Sequence, residues 1–483
     1  MMKTSLLING TWQSPRLNQW TPVDNPATGA TIGQVALATG EDVQAAVDAA
    51  QVAQPGWAAT HPDERAAILH AAADRMHSCR EDMARLLTLE QGKPLPDSLK
   101  EIDFGIRVLH YYAEEGRRIS GRLPQGMAHG VRSVVCQAPI GIAAGIVPWN
   151  YPVDLYCWKV APMLAAGCAA LIKPPPEAPF AIAMVVDCLH AAGVPAGVLA
   201  NLPGHGPQAG RALAAHSQIG IISATASVPA GQDITRQSAD SLKRVLLELG
   251  GHSPFIVLDD ADIEATANAA LRRSFSNMGQ ICIAVNRILV QRAIHPRFIE
   301  ALADKANAIT LGDGQEPGVE YGPVLDQRVI DRVEQHLHDA CTRGGRVVAG
   351  GVPVTDSALA GGYFYRPTLV ADAPLDSLLM TQETFGPLTG VHAFDTLPEA
   401  IKIANALPYG LAAYIYTENL ETGWALADAL ECGMVGVNVN DTSELQAPFG
   451  GWKLSGIGQE LGPEGLQQYL NNKSIRMRVR RLP

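Results

Sequence analysis

Cys282 stands in Asn277-Met278-Gly279-Gln280-Ile281-Cys282-Ile283-Ala284, between two isoleucines and just past an expected helix end. A cysteine attacks as its thiolate, and apolar neighbours disfavour that form, so the stretch is catalytic only if other segments supply a base and an oxyanion site. Glu248 precedes a Gly-Gly pair, where a carboxylate is free to swing towards a site. Asn150 follows Pro148-Trp149 at the end of an apolar run and offers a side-chain N–H to a developing oxyanion. Taken singly, each has a plainer reading as a buried structural thiol, a surface carboxylate and an Asx turn before Pro152. Together they are a nucleophile, a base and an oxyanion donor for acyl chemistry.

A second group suits a dinucleotide. Lys173 ends an apolar strand before three prolines, which presents its ammonium at a sheet edge. Glycines 204, 206 and 210 suit a tight strand-to-helix turn but do not spell the dinucleotide fingerprint. Glu383-Thr384-Phe385-Gly386-Pro387 sets a carboxylate, which could hold ribose hydroxyls, beside an aromatic that could brace a nicotinamide.

These residues need a frame to hold them. Thr39 and Asp42 at capping-box spacing open a helix over 39–54, and helical periods continue over 63–90 and 97–119, so the first part reads as helix-rich. Residues 120–140 turn to Gly, Pro and β-branched types, which predicts a projecting hairpin. Apolar strands then alternate with helices: strands at 142–147, 169–172, 198–202 and 219–222, with helices at 155–166 and 178–192. That alternation predicts a parallel, doubly wound sheet with ligands beyond its carboxyl ends. The pattern restarts near 250, with strands at 255–258, 287–290 and 346–348 and helices at 261–276, 294–309 and 327–343. The basic, alternating run 473–481 reads as an edge strand with outward charges.

With 483 residues, 47% of them hydrophobic and 18% charged, the chain can build two or three buried cores. Its formal charge of −11 argues against nucleic acid or an anionic membrane as a general partner. Eight scattered cysteines lack CxxC pairs, and the histidines fall at no ligand spacing near them, so reduced thiols, no metal site and a cytoplasmic setting are expected. The longest charge-free stretch, 133–153, is broken by prolines and glycines and reads as a buried strand with loops.

In order along the chain, Trp149-Asn150, Lys173, Glu248-Leu249-Gly250-Gly251, Gly279-Gln280-Ile281-Cys282, Glu383-Thr384-Phe385-Gly386-Pro387 and Pro448-Phe449-Gly450-Gly451 resemble the NAD(P)-dependent aldehyde dehydrogenase superfamily. The resemblance implies an α/β fold with a Rossmann-like cofactor domain (1–119 and 141–250), an α/β catalytic domain (251–450) and a β oligomerisation element (120–140 and 470–483). It implies oxidation of an aldehyde to its acid through a Cys282 thiohemiacetal and thioester, with Asn150 on the oxyanion and Glu248 activating water. Lys159 and Glu460 match a pair that relays protons from Glu248. Ile146, Trp149, Lys173, Pro176, Thr225, Ala226, Leu249, Glu383 and Phe385 would face the cofactor, NAD or NADP. Phe104, Tyr151, Trp158, Ile281, Ile283 and Phe449 would line an apolar substrate tunnel. Trp158 stands where some semialdehyde-specific relatives place an arginine, so an uncharged aliphatic or aromatic aldehyde is expected, although Lys100, Asp154 and Glu444 near the entrance would weigh against that. Glu248 disfavours a CoA-acylating relative. The partners implied are a small aldehyde and further copies of the chain, as a dimer or tetramer.

Two departures from the family pattern bear on the cofactor. Thr225 and Ala230 replace the two glycines usual at the pyrophosphate-binding helix start, and Pro229 removes a donor there, so weaker binding or an altered pose is expected. A chain that kept the fold as a binding or structural homo-oligomer is the alternative this loop suggests, and cofactor-free ester or thioester hydrolysis by Cys282 and Glu248 is another. The glutamate that engages a ribose 2′-hydroxyl in NAD-preferring members comes one residue late, with Pro176 in its place, which leaves NAD only slightly favoured.

Overall fold

The computed structural model describes residues 2–125, 128–354, 356 and 358–479. Two large sheets carry the α/β architecture. In the first the spatial order is Gly456–Ile457, Arg244–Glu248, Ile221–Thr225, Ile142–Ile146, Ala169–Lys173, Leu199–Asn201, Leu6–Ile8 and Thr11–Gln13. Its inner strands pair in parallel, with Thr225 opposite Glu248 and Ile146 opposite Lys173. The register therefore gathers these four residues at one carboxyl edge, where a doubly wound sheet takes its ligands. In the second sheet Val285–Gln291 lies between Ser253–Val257 and Leu388–Phe394, again in parallel.

The helical expectations hold where a cap or an apolar stripe fixes the element. Gly40–Ala59 starts with both halves of the Thr39/Asp42 capping box. The stretch 63–90 is two helices, Pro62–Ser78 and Arg80–Gln91, divided at Cys79, and Leu95–Arg117 follows. Helix Phe180–Ala191 has no cap of its own; the buried Glu90 carboxylate accepts from the Phe180 and Ala181 N–H groups at 2.7 and 2.8 Å.

The first part is helix-rich as expected, and short strands precede its helices, of which Leu6–Ile8 and Thr11–Gln13 extend the first sheet. One expectation is corrected: 120–140 is not a closed hairpin. Val131–Pro139 pairs along its whole length with Leu470–Arg478, and among the described residues a single bridge, Arg122–Val135, joins it to the preceding segment. The expected charged edge at 473–481 is thus a strand whose residues after Leu470 are exposed. Residues 126, 127 and 480–483 of these two segments lie outside the described residues. Among the described residues no helix is long and apolar enough to cross a membrane.

Candidate active site

Helix Ile263–Phe275 ends seven residues before Cys282, and the chain then turns through left-handed conformations at Asn277, Met278 and Gly279. Such angles are unfavourable for the first two residues. A hydrogen-bond net holds them: Gln91 donates to the Asn277 carbonyl oxygen Oδ1 (3.0 Å), and the Leu325 N–H donates to Gln280 Oε1 (2.9 Å). At Gly279 a Cβ would sit 2.3 Å from the Gly386 carbonyl, so this turn closes only with glycine.

The turn sets Cys282 at the junction of two cavities, and Asn150 and Glu248 line both of them as well. Burial, and next the negative field of Glu248, push the thiol well above its ordinary pKa. Glu248 is raised to about 8, chiefly by burial, and neither carboxylate oxygen meets a hydrogen-bond partner among the described residues. The thiol is Glu248's neighbour but outside hydrogen-bond geometry with it. A buried, unpartnered carboxylate beside a thiol is an apt proton acceptor near neutral pH.

Asn150 is held by its surroundings. Its Nδ2 donates to the Gln280 carbonyl at 3.0 Å, leaving a second N–H free. Its own carbonyl accepts from the Lys93 ammonium (2.8 Å) and from Asn277 Nδ2 (3.0 Å). Lys93 in turn is ion-paired with Glu101, which accepts from the Val153 N–H, and both side chains are sealed from solvent. Sequence reasoning missed this buried pair, because nothing in the spacing of Lys93 and Glu101 marks them as pointing inward.

Lys159 and Glu460 form the expected pair, 2.7 Å apart and buried. The Lys159 ammonium also donates to Thr225 Oγ1 at 3.0 Å and Ser223 Oγ at 3.3 Å, and Ser223 donates to Glu460 at 3.1 Å. The threonine found in place of a motif glycine therefore ties the edge of the smaller of the two cavities to the buried ion pair.

That smaller cavity, about 300 Å³, is lined by Trp149, Thr225, Ala226, Glu383 and Phe385 among the expected residues. Trp149 and Phe385 meet edge to face, 5.6 Å between centroids. Glu383 accepts from the Gly251 N–H at 3.1 Å and is raised to about 7 by burial. Ser227 makes no side-chain cap for helix Val228–Ser238, so first-turn N–H groups are without a side-chain partner among the described residues where Thr225, Ala226 and Ser227 border the cavity. Helix-start donors, a flanking aromatic pair and a carboxylate fit a nicotinamide dinucleotide. Ile146, Lys173, Pro176 and Leu249 lie outside its walls. The Lys173 ammonium, lowered to about 8 by burial, donates instead to the Pro174 and Gly204 carbonyls. Glu177, not Pro176, reaches the wall, as does Gly250.

The larger cavity, about 510 Å³, brings together all six expected substrate residues, Phe104, Tyr151, Trp158, Ile281, Ile283 and Phe449. Trp158 packs against Phe449 at 5.0 Å and Phe104 at 6.2 Å. Trp158 Nε1 donates to Asp154 at 2.6 Å, and burial, reinforced by Glu101, pushes the Asp154 carboxyl well above its ordinary value. Lys100 and Asp154 line the cavity, whereas Glu444 does not. Arg272 and Arg273 also line it, and sequence reasoning overlooked both: they sit in the last turn of a helix, where arginine is common for dipole reasons alone.

The model of the aldehyde dehydrogenase family matches residues 12–475. A succinate semialdehyde dehydrogenase of Acinetobacter baylyi is 39% identical over 98% of this chain and 97% of its own length. The NADP+-linked succinate-semialdehyde dehydrogenase of Escherichia coli is 38% identical, with the same coverage. A crystal structure of betaine aldehyde dehydrogenase from Staphylococcus aureus with NAD+ superposes with a TM-score of 0.97, at 32% identity, covering 99% of this chain and 95% of that one.

Proposed function

The chain belongs to the aldehyde dehydrogenase family, and from that premise we propose that Cys282, Glu248 and Asn150 carry the oxidation of an aldehyde to its carboxylic acid. The observation that carries this reading is the placement of all three side chains on the shared wall of the two cavities. Glu248 takes the thiol proton, Cys282 Sγ bonds to the carbonyl carbon, and the π electrons move to an oxygen held by Asn150 Nδ2 and the Cys282 N–H. When bound, NAD or NADP supplies the two-electron acceptor for the hydride leaving that carbon. Cys282 then holds the acyl group as a thioester, and Glu248 deprotonates the water that displaces the thiolate. Glu248 gives up the thiol proton before it takes the proton of water, and Thr225, the strand partner of Glu248, and the Lys159–Glu460 pair provide the route by which each leaves.

Two finer points belong to the same proposal. The substrate is an aldehyde that carries a second, acidic group. Support comes from the relatives named for succinate semialdehyde and from the cations on the tunnel wall, and it revises the expectation of an uncharged substrate. NAD is the preferred acceptor, because Glu177 on the cavity wall would repel a 2′-phosphate. The division into a cofactor domain (1–119 and 141–250), a catalytic domain (251–450) and an oligomerisation element is proposed as well, with strand Leu470–Arg478 offered to a second copy. A reducing, cytoplasmic setting is consistent with the free thiols. The test is a panel of aldehydes followed by NADH or NADPH absorbance, with Cys282→Ser as the control. Activity surviving in that variant would overturn the thiol mechanism.

A further inference from the structure

Arg273 is a buried cation without a dedicated acid. Its side chain is 6% exposed, yet it borders the aldehyde cavity beside Cys282, Tyr151 and Ile283. Nε donates to the Asn440 carbonyl. The nearest carboxylate oxygen, of Asp441, lies 3.5 Å from Nη2, longer than a charge-assisted hydrogen bond, and Asp441 itself is 62% exposed at the cavity wall. The Nη donors therefore have no hydrogen-bond partner among the described residues. Tyr414 bridges the distance to the nucleophile: its ring centroid is 5.8 Å from the Arg273 Cζ, and its hydroxyl donates to the carbonyl of Ile283, the residue after Cys282. Burial acts to lower the Arg273 pKa, but Tyr414, Asp441, Tyr151 and Cys282 outweigh it, and the group stays charged.

Other acids on this wall do not cancel that charge. Glu101 is locked to Lys93, Asp97 is paired with Lys100, Asp154 accepts from Trp158 Nε1 and Glu320 accepts from the Thr310 N–H; neither these nor Glu248 forms an ion pair with Arg273 among the described residues. A buried guanidinium with unused paired donors matches a planar carboxylate or a sulfonate.

We propose that Arg273 fixes the acidic end of the substrate, displacing Asp441, while Cys282 attacks the aldehyde at the other end. This rests on the reading that the substrate is an acid-bearing aldehyde. It makes Arg273 the residue that sets specificity, with the aromatic throat of Phe104, Trp158 and Phe449 enclosing the chain between the two ends.

The test compares succinate semialdehyde with its uncharged methyl ester. The wild-type protein should oxidise the acid with the lower KM, and preference for the ester, or turnover of neither, would overturn the acid-substrate reading at that step. In Arg273→Gln the KM for the acid should rise about 10- to 100-fold, the range for a lost charged hydrogen bond, with the ester unchanged and Arg273→Lys intermediate. Equal effects on both substrates, or none on either, would overturn the assignment while leaving the wild-type result intact. Should Arg273→Gln not fold, Asp441→Asn at its exposed position decides: freeing the guanidinium should lower the KM for the acid several-fold and spare the ester, and an unchanged KM would overturn the assignment.

Discussion

Replacing Glu248 by glutamine separates the energetic cost of this carboxylate from its chemical use. In the folded chain Glu248 holds its proton to about pH 8, against an ordinary value of 4.5, with burial the main cause. A carboxyl whose folded pKa lies above its unfolded one binds the proton more tightly when folded, so between these values the unfolded state binds fewer protons and stability falls as pH rises. The difference corresponds to about 5 kcal/mol, fully expressed above pH 8 and absent below 4.5. Glu248→Gln removes this contribution. Denaturant melts of both proteins at half-unit steps from pH 5 to 9 should nearly coincide at pH 5, and the variant should become progressively the more stable towards pH 9. Activity moves oppositely. Wild-type kcat/KM should climb with pH to a plateau above about 8, where the carboxylate form dominates, and the variant should lose on the order of 10²–10⁴-fold at the plateau. Parallel stability curves, or a flat wild-type rate between pH 6 and 9, would refute the assignment of Glu248 as a buried, unpartnered base.

Gly250→Ala places a Cβ 2.4 Å from Glu383 Oε2, so the carboxylate must leave its place and the KM for the dinucleotide should rise while the melting midpoint changes little. Lys93→Met strands Glu101 as a buried charge and frees the Asn150 carbonyl; chemical denaturation should report a loss of about 3–5 kcal/mol, and kcat should fall more than KM changes. Glu177→Ser should raise kcat/KM with NADP relative to NAD, measured with one aldehyde and both coenzymes. Thr225→Val removes the hydroxyl accepting from Lys159 and should slow turnover while coenzyme binding, read by tryptophan fluorescence, persists.

Much of the site was legible because its residues carry unusual chemistry at strand ends and turns. Glu248 ends a strand, Asn150, Cys282, Glu383 and Phe385 stand in the loops and turns between elements, and all five meet at the two cavities. Less legible was whatever depends on distant pairing. A three-residue strand such as Leu6–Ile8 has no periodicity to detect, and Val131–Pro139 finds its partner at the far end of the chain. Thr225 reads as an obstruction to phosphate until the neighbouring strand and helix place Lys159 beneath it. Arg273 is one of two adjacent arginines in a helical last turn, and only packing decides that it is the buried one while Arg272 is exposed.

The account turns on Cys282 as the atom that carries the acyl group between the two cavities. Glu248→Gln should slow both steps that this carboxylate serves, but over a long incubation at high pH solvent can still take the thiol proton, so the thioester should form and accumulate on Cys282 for want of a positioned base to activate water. Incubated with succinate semialdehyde and NAD, then digested and measured by mass spectrometry, the variant should show the acyl increment on the peptide containing Cys282 and none in a Cys282→Ser, Glu248→Gln double variant. Acylation at another residue, or an unmodified Cys282 in a variant that still reduces NAD in the first turnover, would contradict it.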